Sequence, residues 1–313
     1  MKKLTLISIA LFFVGFIFAQ EEGGGSTLQQ PTRPVEFPWQ QMDVDTFSVP
    51  VSPVFIRQSD VFYYHTVWRI IDLREKRNHP YYFPTTRRGT WRSLAQTIFD
   101  AIDFNHPENL NSLPVYSDEF CELKLTPEEK RNILSNPKTR DIIDPETGQK
   151  INTEDYLEEF QPYEILSYRI KEIWFFDKQR SVLEVRILTI TPVVEYERPS
   201  AAPDPNATPS ADEEENYVEV PKAQRSAGVI KWDDLRPYLV KQEMFNVKNN
   251  AARLSYDDAI TWKRQFASFV FQEQNTYSDR MIQDYIKNPR DQRIESDIII
   301  DKIRSFEHEL WEF

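Results

Sequence analysis

Apolar side chains recur with a period of two through residues 163–191 and with helical spacings of three and four on either side of that stretch. In the centre, Leu166, Tyr168, Ile170, Trp174 and Phe176 fall on one side of a strand with Glu172 as the single interruption, while Arg169 and Lys171 point the other way. Residues 182–191 repeat the alternation, with Leu183, Val185, Ile187 and Thr189 set against Glu184 and Arg186. The short polar link Asp177-Lys178-Gln179-Arg180 between them predicts a long antiparallel β-hairpin.

Upstream, Val61, Tyr64, Trp68 and Ile71 predict a helix from Asp60 of about 18 residues, capped by Ser59 or Asp60 and stopped by Asn78-His79-Pro80. A second helix is expected over Thr90–Asp103, where Leu94, Ile98, Ala101 and Ile102 share a face and His106-Pro107 closes the segment. Thr126-Pro127-Glu128-Glu129 combines a threonine cap, a proline at the first helical position and a glutamate at the third, so a short helix follows, ending near Asn136-Pro137. Asp144-Pro145-Glu146-Thr147-Gly148 reads as a turn. In the last third, Ser255 caps a helix through Ala259, Trp262, Lys263, Phe266, Phe269 and Val270, and Ser278 opens another through Met281, Ile282, Tyr285 and Ile286. The final helix, Ile294–Trp311, carries the stripe Ile298, Ile299, Ile303, Phe306 and Leu310. Val218–Val220 and Val229–Trp232 are short enough and apolar enough to return to the sheet. The expected fold is α+β: an antiparallel sheet with a long central hairpin, packed by helices from both the N-terminal and the C-terminal parts.

Three stretches fall outside that body. Lys2-Lys3, the 15-residue apolar run Leu4–Phe18 and then Ala19-Gln20-Glu21 read as a signal peptide over residues 1–19, cleaved after Ala19. The run is shorter than the roughly 20 apolar residues that span a bilayer. Residues 20–53 hold Gly23-Gly24-Gly25-Ser26 and five prolines without strand or helix period, which predicts an extended arm. Val35, Phe37, Trp39, Met42, Val44 and Phe47 make it too apolar for an inert spacer, so it is expected to dock on its own body or on a neighbour. Residues 54–313 are the α+β domain, interrupted at about 197–226 by Pro199, Pro203, Pro205, Pro209 and the acidic run Asp212–Glu215, a disordered surface insert.

Composition narrows the chemistry. Without Lys2 and Lys3 the chain keeps 36 basic against 50 acidic residues, a formal charge of −14 that argues against nucleic acid or anionic lipid as a partner. Only Gly89, Gly148 and Gly228 lie beyond the arm, far apart, so no glycine cluster can cradle a phosphate. Cys121, the lone cysteine, cannot form an internal disulfide or follow the signal as a lipid anchor; a buried inert thiol is expected, with an intermolecular bridge as the alternative. His65, His79, His106 and His308 lack metal-ligand spacing, and Ser93, Ser167 and Ser255 lie outside any glycine-flanked elbow. Asp72 with Glu75, or Asp257 with Asp258, are nominal acid–base pairs, but carboxylates three apart on a helix are ordinary and adjacent ones point apart. No catalytic residue, metal or cofactor is therefore expected. An exported protein that binds or hydrolyses carbohydrate or peptidoglycan remains the competing class, since aromatic and acidic side chains suit sugar surfaces.

Two charge-dense stretches carry a resemblance. Ile71-Asp72-Leu73-Arg74-Glu75-Lys76-Arg77-Asn78-His79-Pro80 and Ile170-Lys171-Glu172-Ile173-Trp174-Phe175-Phe176-Asp177-Lys178-Gln179-Arg180-Ser181-Val182 resemble the gliding-motility GldN family, called PorN in non-gliding relatives. The similarity in order and spacing runs from about Ser52 to the C-terminus; the arm and the proline-rich insert depart from it. It implies a non-enzymatic periplasmic subunit of the Bacteroidota type IX secretion system, repeated in a ring beneath the outer membrane. The implied partners are a GldK/PorK-like outer-membrane lipoprotein, which would provide the only membrane attachment, and the periplasmic part of a GldM/PorM-like motor protein. A ring subunit must repeat a heterologous contact and offer separate faces to unlike partners. Aromatic side chains beside arginine anchors are the types enriched at interfaces, so two candidate faces follow: Trp174, Phe175, Asp177, Lys178 and Arg180 at the hairpin tip, and Arg69, Asp72, Arg74, Glu75, Lys76 and Asn78 at the expected helix end, where Asp72 would meet Arg69 and Lys76. Phe37 and Trp39 are the candidates in the arm. Aromatics occupy both hairpin faces near the tip, so Phe175 and Ile173 need a cover that a partner chain can supply.

Overall fold

The computed structural model describes residues 48–86, 91–102, 112–143, 150–197, 222–246 and 253–311. The signal peptide, the arm up to residue 47 with Phe37 and Trp39, the expected turn at 144–148 and residues 198–221 of the insert lie outside them. The strands are β1 (Val61–Asp72), β2 (Ser135–Ile143), β3 (Lys150–Glu159), β4 (Ile165–Asp177), β5 (Val182–Glu197), β6 (Lys222–Ser226), β7 (Ile230–Lys231) and β8 (Phe269–Glu273). The helices are α1 (His79–Tyr82), α2 (Leu94–Ile102), α3 (Pro127–Ile133), α4 (Trp232–Leu239), α5 (Ile282–Tyr285) and α6 (Pro289–Trp311). One six-stranded sheet runs β6-β5-β4-β1-β8 with β7 also paired to β5, and β2 and β3 form a separate ladder. All pairings are antiparallel, so the α+β expectation holds.

The central hairpin is β4 and β5, in register from Asp177 opposite Val182 back to Ile165 opposite Val194. Ser181 takes a positive φ of 53° in its glycine-free turn. The expected helix from Asp60 is instead strand β1, paired with β4 along its length. Its sequence explains the correction. Valine, threonine, isoleucine and aromatic residues fill most of Val61–Ile71, and such side chains lose rotamer freedom in a helix but pack well on a pleated surface. Buried apolar residues stand on both faces of β1, Val67 and Ile71 on one and Trp68 on the other, and such a continuous apolar run fits either period. Phe269 and Val270, expected on a helix, form β8 for the same reason, and only a π-helical turn at Asp258–Trp262 precedes them. Ser255 still caps that turn, its Oγ accepting from the Asp258 amide at 3.0 Å.

Elsewhere the local signals hold. Thr126 Oγ1 accepts from the Glu129 amide at 3.3 Å while Glu129 Oε2 accepts from the Thr126 amide at 2.9 Å, which completes the expected capping box of α3. That helix stops at Ile133, and β2 starts at once. Val229–Trp232 does return to the sheet, through β7 against Thr189 and Ile190. The final helix begins five residues before the expected start, at Pro289, where Asn288 Oδ1 accepts from the Arg290 amide at 3.1 Å. It buries Ser296, Ile299, Ile300 and Ile303, and leaves Ile294 and Ile298 exposed.

One sheet face carries two apolar clusters. The larger gathers Ile71, Tyr168, Ile170, Ile187 and Ile190 under α2 and α4, with Leu94, Ile98, Trp232 and Leu235. The smaller, toward the hairpin tip, gathers Val67, Trp174 and Val270 under α6, with Ile299, Ile300 and Ile303. Ser296 of α6 accepts the Val270 amide at 2.7 Å and so fixes the helix on β8.

Candidate functional site

Between those clusters lies a polar seam. Cross-strand register places Arg69 opposite Ile170 and Glu172 opposite Val67, all on that face. Glu172 is wholly buried; its carboxylate takes Arg264 Nη2 at 2.6 Å and lies 3.8 Å from Arg69 Nη1. Burial draws the Arg69 guanidinium below its ordinary value, Glu172 opposes that, and Arg264 adds to it. Arg264 itself has a positive φ of 46°, and its guanidinium lies over the Phe266 ring at 5.2 Å. The alternation flagged Glu172 as an interruption, but its partners at 69 and 264 are distant in sequence, and only the fold brings them together.

At the hairpin tip, Trp174 is 7% and Phe175 5% exposed, so both side chains are buried in the folded chain. Phe175 is covered from within: the Arg186 guanidinium sits 5.3 Å over its ring, and Arg186 Nη2 donates to the Val54 carbonyl at 2.6 Å. No partner is needed there, contrary to the expectation. Asp177 is buried too and organises the turn, accepting from the Gln179 amide at 2.9 Å and from Arg180 Nε at 2.7 Å. These bonds, Arg180 first, hold its carboxyl below the usual carboxylate range. Arg180 also pairs with Glu184. Lys178 is exposed, its ammonium 5.5 Å over Phe62, and its amide donates to the Asp60 carbonyl at 2.9 Å. Asp60, expected as a helix cap, instead receives the tip.

The second candidate group does not form the expected helical pairs. On a strand, Arg69 and Asp72 point to opposite faces. Asp72 accepts from Arg74 Nε at 3.0 Å and Nη2 at 2.9 Å. Lys76 is exposed and Glu75 half-buried. Asn78 is fully buried and clamps two chain segments: its Nδ2 donates to the carbonyls of Asp72 at 2.7 Å and Ala267 at 2.8 Å, and its Oδ1 accepts the Ala267 amide at 2.8 Å. The nominal acid pair also separates. Asp257 is buried against Arg236 at 2.8 and 3.0 Å and accepts the Thr261 hydroxyl at 2.8 Å, while Asp258 belongs to the cap with Ser255. Cys121 is half-buried in a tight turn at φ 58°, and burial pushes its thiol up.

The feature that periodicity alone did not reveal is an open sheet edge. β5 pairs outward with β7 at Thr189 and Ile190 and with β6 from Val193 to Glu197. A bulge sets Leu188 out of the ladder, because Thr189 faces Lys171 and Ile187 faces Glu172. From Val182 to Leu188, the outer edge has no strand partner among the described residues. A groove of about 590 Å³ follows this edge, lined also by Trp232, Trp262, Arg264, Pro53 and Val54. Among the described residues no group of three or more His, Cys, Asp or Glu side chains is placed to hold a metal ion, and no helix is long and apolar enough to cross a membrane.

The family model described as gliding motility associated protein GldN matches residues 56–312. The chain belongs to the GldN family. A comparison with curated proteins finds no match. The matched span takes in the whole hairpin, the seam of Arg69, Glu172 and Arg264, and α6, so these features are parts of a GldN-type body; the arm with Phe37 and Trp39 lies outside it. As a GldN-family chain, the protein is associated with gliding motility and type IX secretion.

Proposed function

We propose that the chain is a non-enzymatic structural subunit, repeated in a periplasmic ring of the type IX secretion system. In this reading it is exported by its leader and held at the inner face of the outer membrane by a GldK/PorK-like lipoprotein. It also meets the periplasmic part of a GldM/PorM-like motor protein. The observation that carries the proposal is the family match across nearly all of the body. The charge-bearing tip agrees with it, since Lys178 is exposed beyond a buried aromatic base and its backbone is fixed by the bond to Asp60, while Arg180 is turned back onto Asp177 and Glu184. A rigidly held exposed cation suits a repeated docking contact better than a flexible one, because less side-chain and loop ordering is lost on association.

Co-purification tests it. The full chain, tagged and recovered from periplasm after mild cross-linking, is expected to bring down a lipoprotein and a protein with an inner-membrane anchor. Recovery of glycan alone, with neither protein, would overturn the proposal in favour of a carbohydrate-directed role.

A further inference from the structure

Helix α6 turns Ser296, Ile299, Ile300 and Ile303 toward the sheet, so its opposite face meets solvent. At about 100° per residue that outer face is centred between Ile294 and Ile298. They lie one turn apart and are 49% and 53% exposed. Isoleucine is a mediocre helix former, so propensity does not explain two of them on a charged ridge. The charges around them are ordered. Read from either end, the segment runs cation, anion, isoleucine at matched spacings: Arg290, Asp291 and Ile294 from one side, Lys302, Asp301 and Ile298 from the other. All four charged side chains are exposed.

Helical spacing puts Arg290 and Asp301 on one flank of the isoleucines and Asp291 and Lys302 on the other. The chain itself does little to neutralise them. The Arg290 and Lys302 side chains meet no carboxylate among the described residues. Asp301 has only Arg304, 3.9 Å away with both side chains more than half exposed, and Asp291 accepts from Asn288 Nδ2 at 3.0 Å. Turned about a twofold axis level with Ser296, the face matches itself. Ile294 meets Ile298 of the second copy, and in an antiparallel pair each flank faces its own counterpart. Arg290 then comes beside Asp301 on one flank and Asp291 beside Lys302 on the other, while like charges fall on opposite flanks. We propose that α6 pairs antiparallel with α6 of a second copy of this chain, through Ile294 and Ile298 framed by these two kinds of ion pair. Such an isologous contact closes at two copies and cannot propagate a ring by itself. It is therefore separate from the secretion-ring reading and does not rest on it. With two apolar side chains from each copy at its centre, the patch is smaller than a standard interface, and dissociation in the micromolar range is expected.

The test uses the full mature chain with Cys121→Ser as background, so that no disulfide contributes. Sedimentation equilibrium at concentrations up to about 200 µM should show a reversible dimer. Ile298→Asp sets a charge against Ile294 of the second copy and should leave a monomer with the parent's melting temperature, because the side chain is outside the core. Arg290→Glu and Asp301→Lys, each alone, should weaken the dimer roughly tenfold, since the two symmetry-related pairs both turn repulsive. Mixing these two variants should restore the parent affinity, because every altered group then faces its opposite in charge. Parallel pairing, or a contact elsewhere on the surface, would not give that rescue. A parent that stays monomeric throughout would overturn the proposal. So would a dimer that survives Ile298→Asp, or a mixture that binds no more tightly than the single variants.

Discussion

Arg264 reaches the fully buried carboxylate of Glu172 at 2.6 Å from a loop 92 residues further along the chain, and Arg69 approaches the same carboxylate from the neighbouring strand. Two cations share one acid at the junction of two apolar clusters. Glu172→Ala leaves both guanidinium groups without their counter-charge, one of them largely desolvated, and is expected to cost about 3–5 kcal/mol of folding stability. Replacing all three by apolar residues of similar size, Arg69→Met with Glu172→Leu and Arg264→Met, is expected to be neutral or stabilising by about 1–4 kcal/mol. Urea denaturation of the single and triple variants measures both. A harmless Glu172→Ala would mean that the seam is hydrated and makes no electrostatic contribution.

Gly228 takes a φ of +90° between β6 and β7, where Val229 and Tyr116 exchange backbone hydrogen bonds at 2.8 and 2.9 Å. A Cβ there would lie 2.4 Å from Val115 Cγ1, inside a residue that is itself wholly buried. Gly228→Ala is therefore expected to destabilise by about 1–3 kcal/mol from backbone strain, with the collision added. A melting temperature equal to that of the parent would show that the loop from Ser226 to Ile230 can be rebuilt around a side chain.

The hairpin and the Thr126 cap were legible because each is written locally: a period of two with a polar link, and a threonine three residues before a glutamate. Strand β1 was not, since a centre strand with apolar residues on both faces loses the alternation that distinguishes it from a helix. Propensity was the overlooked arbiter there. Ladder β2–β3 escaped because charged residues dilute its pattern on both strands. The candidate residues fared unevenly for a similar reason. Sequence picks out side-chain type, but whether Trp174 or Asn78 faces outward depends on which helix covers which strand. The open edge of β5 depends on where the chain returns after the insert, which no local pattern announces.

Trp174 illustrates the division between core and surface. It packs with Val67, Val270 and Ile299 beneath α6, so Trp174→Ala is expected to cost about 3–5 kcal/mol. Its indole Nε1 is buried without a hydrogen-bond partner among the described residues, so Trp174→Phe removes an unpaired donor and should cost far less than the alanine variant. Lys178→Glu, on the exposed tip, should stay within about 0.5 kcal/mol of the parent while weakening any partner that reads the tip's positive charge. Chemical denaturation and pull-down on the same three proteins separate the effects. If Lys178→Glu leaves partner recovery unchanged, the tip is not a docking face.

Asp177 gives the tip a pH dependence whose sign follows from its bonds. Arg180 and the Gln179 amide favour the carboxylate, so the folded-state pKa lies below the unfolded one. The carboxylate therefore adds stability that is fully present above the unfolded pKa of about 3.9 and is lost as pH falls through the lower folded value. Asp72 and Asp118 are also depressed, the first by Arg74 against its own desolvation and the second chiefly by the Leu123 amide, so the total acid dependence is not a measure of Asp177 alone. The difference between the parent and Asp177→Asn is. Urea midpoints taken from pH 7 downward should show a gap that is constant to about pH 5 and closes toward pH 2. Arg180→Gln should shrink the same gap, because it removes the largest of the groups holding Asp177 ionised. A gap that persists undiminished at pH 2 would mean that asparagine disrupts the turn sterically and that the Asp177 charge plays no part.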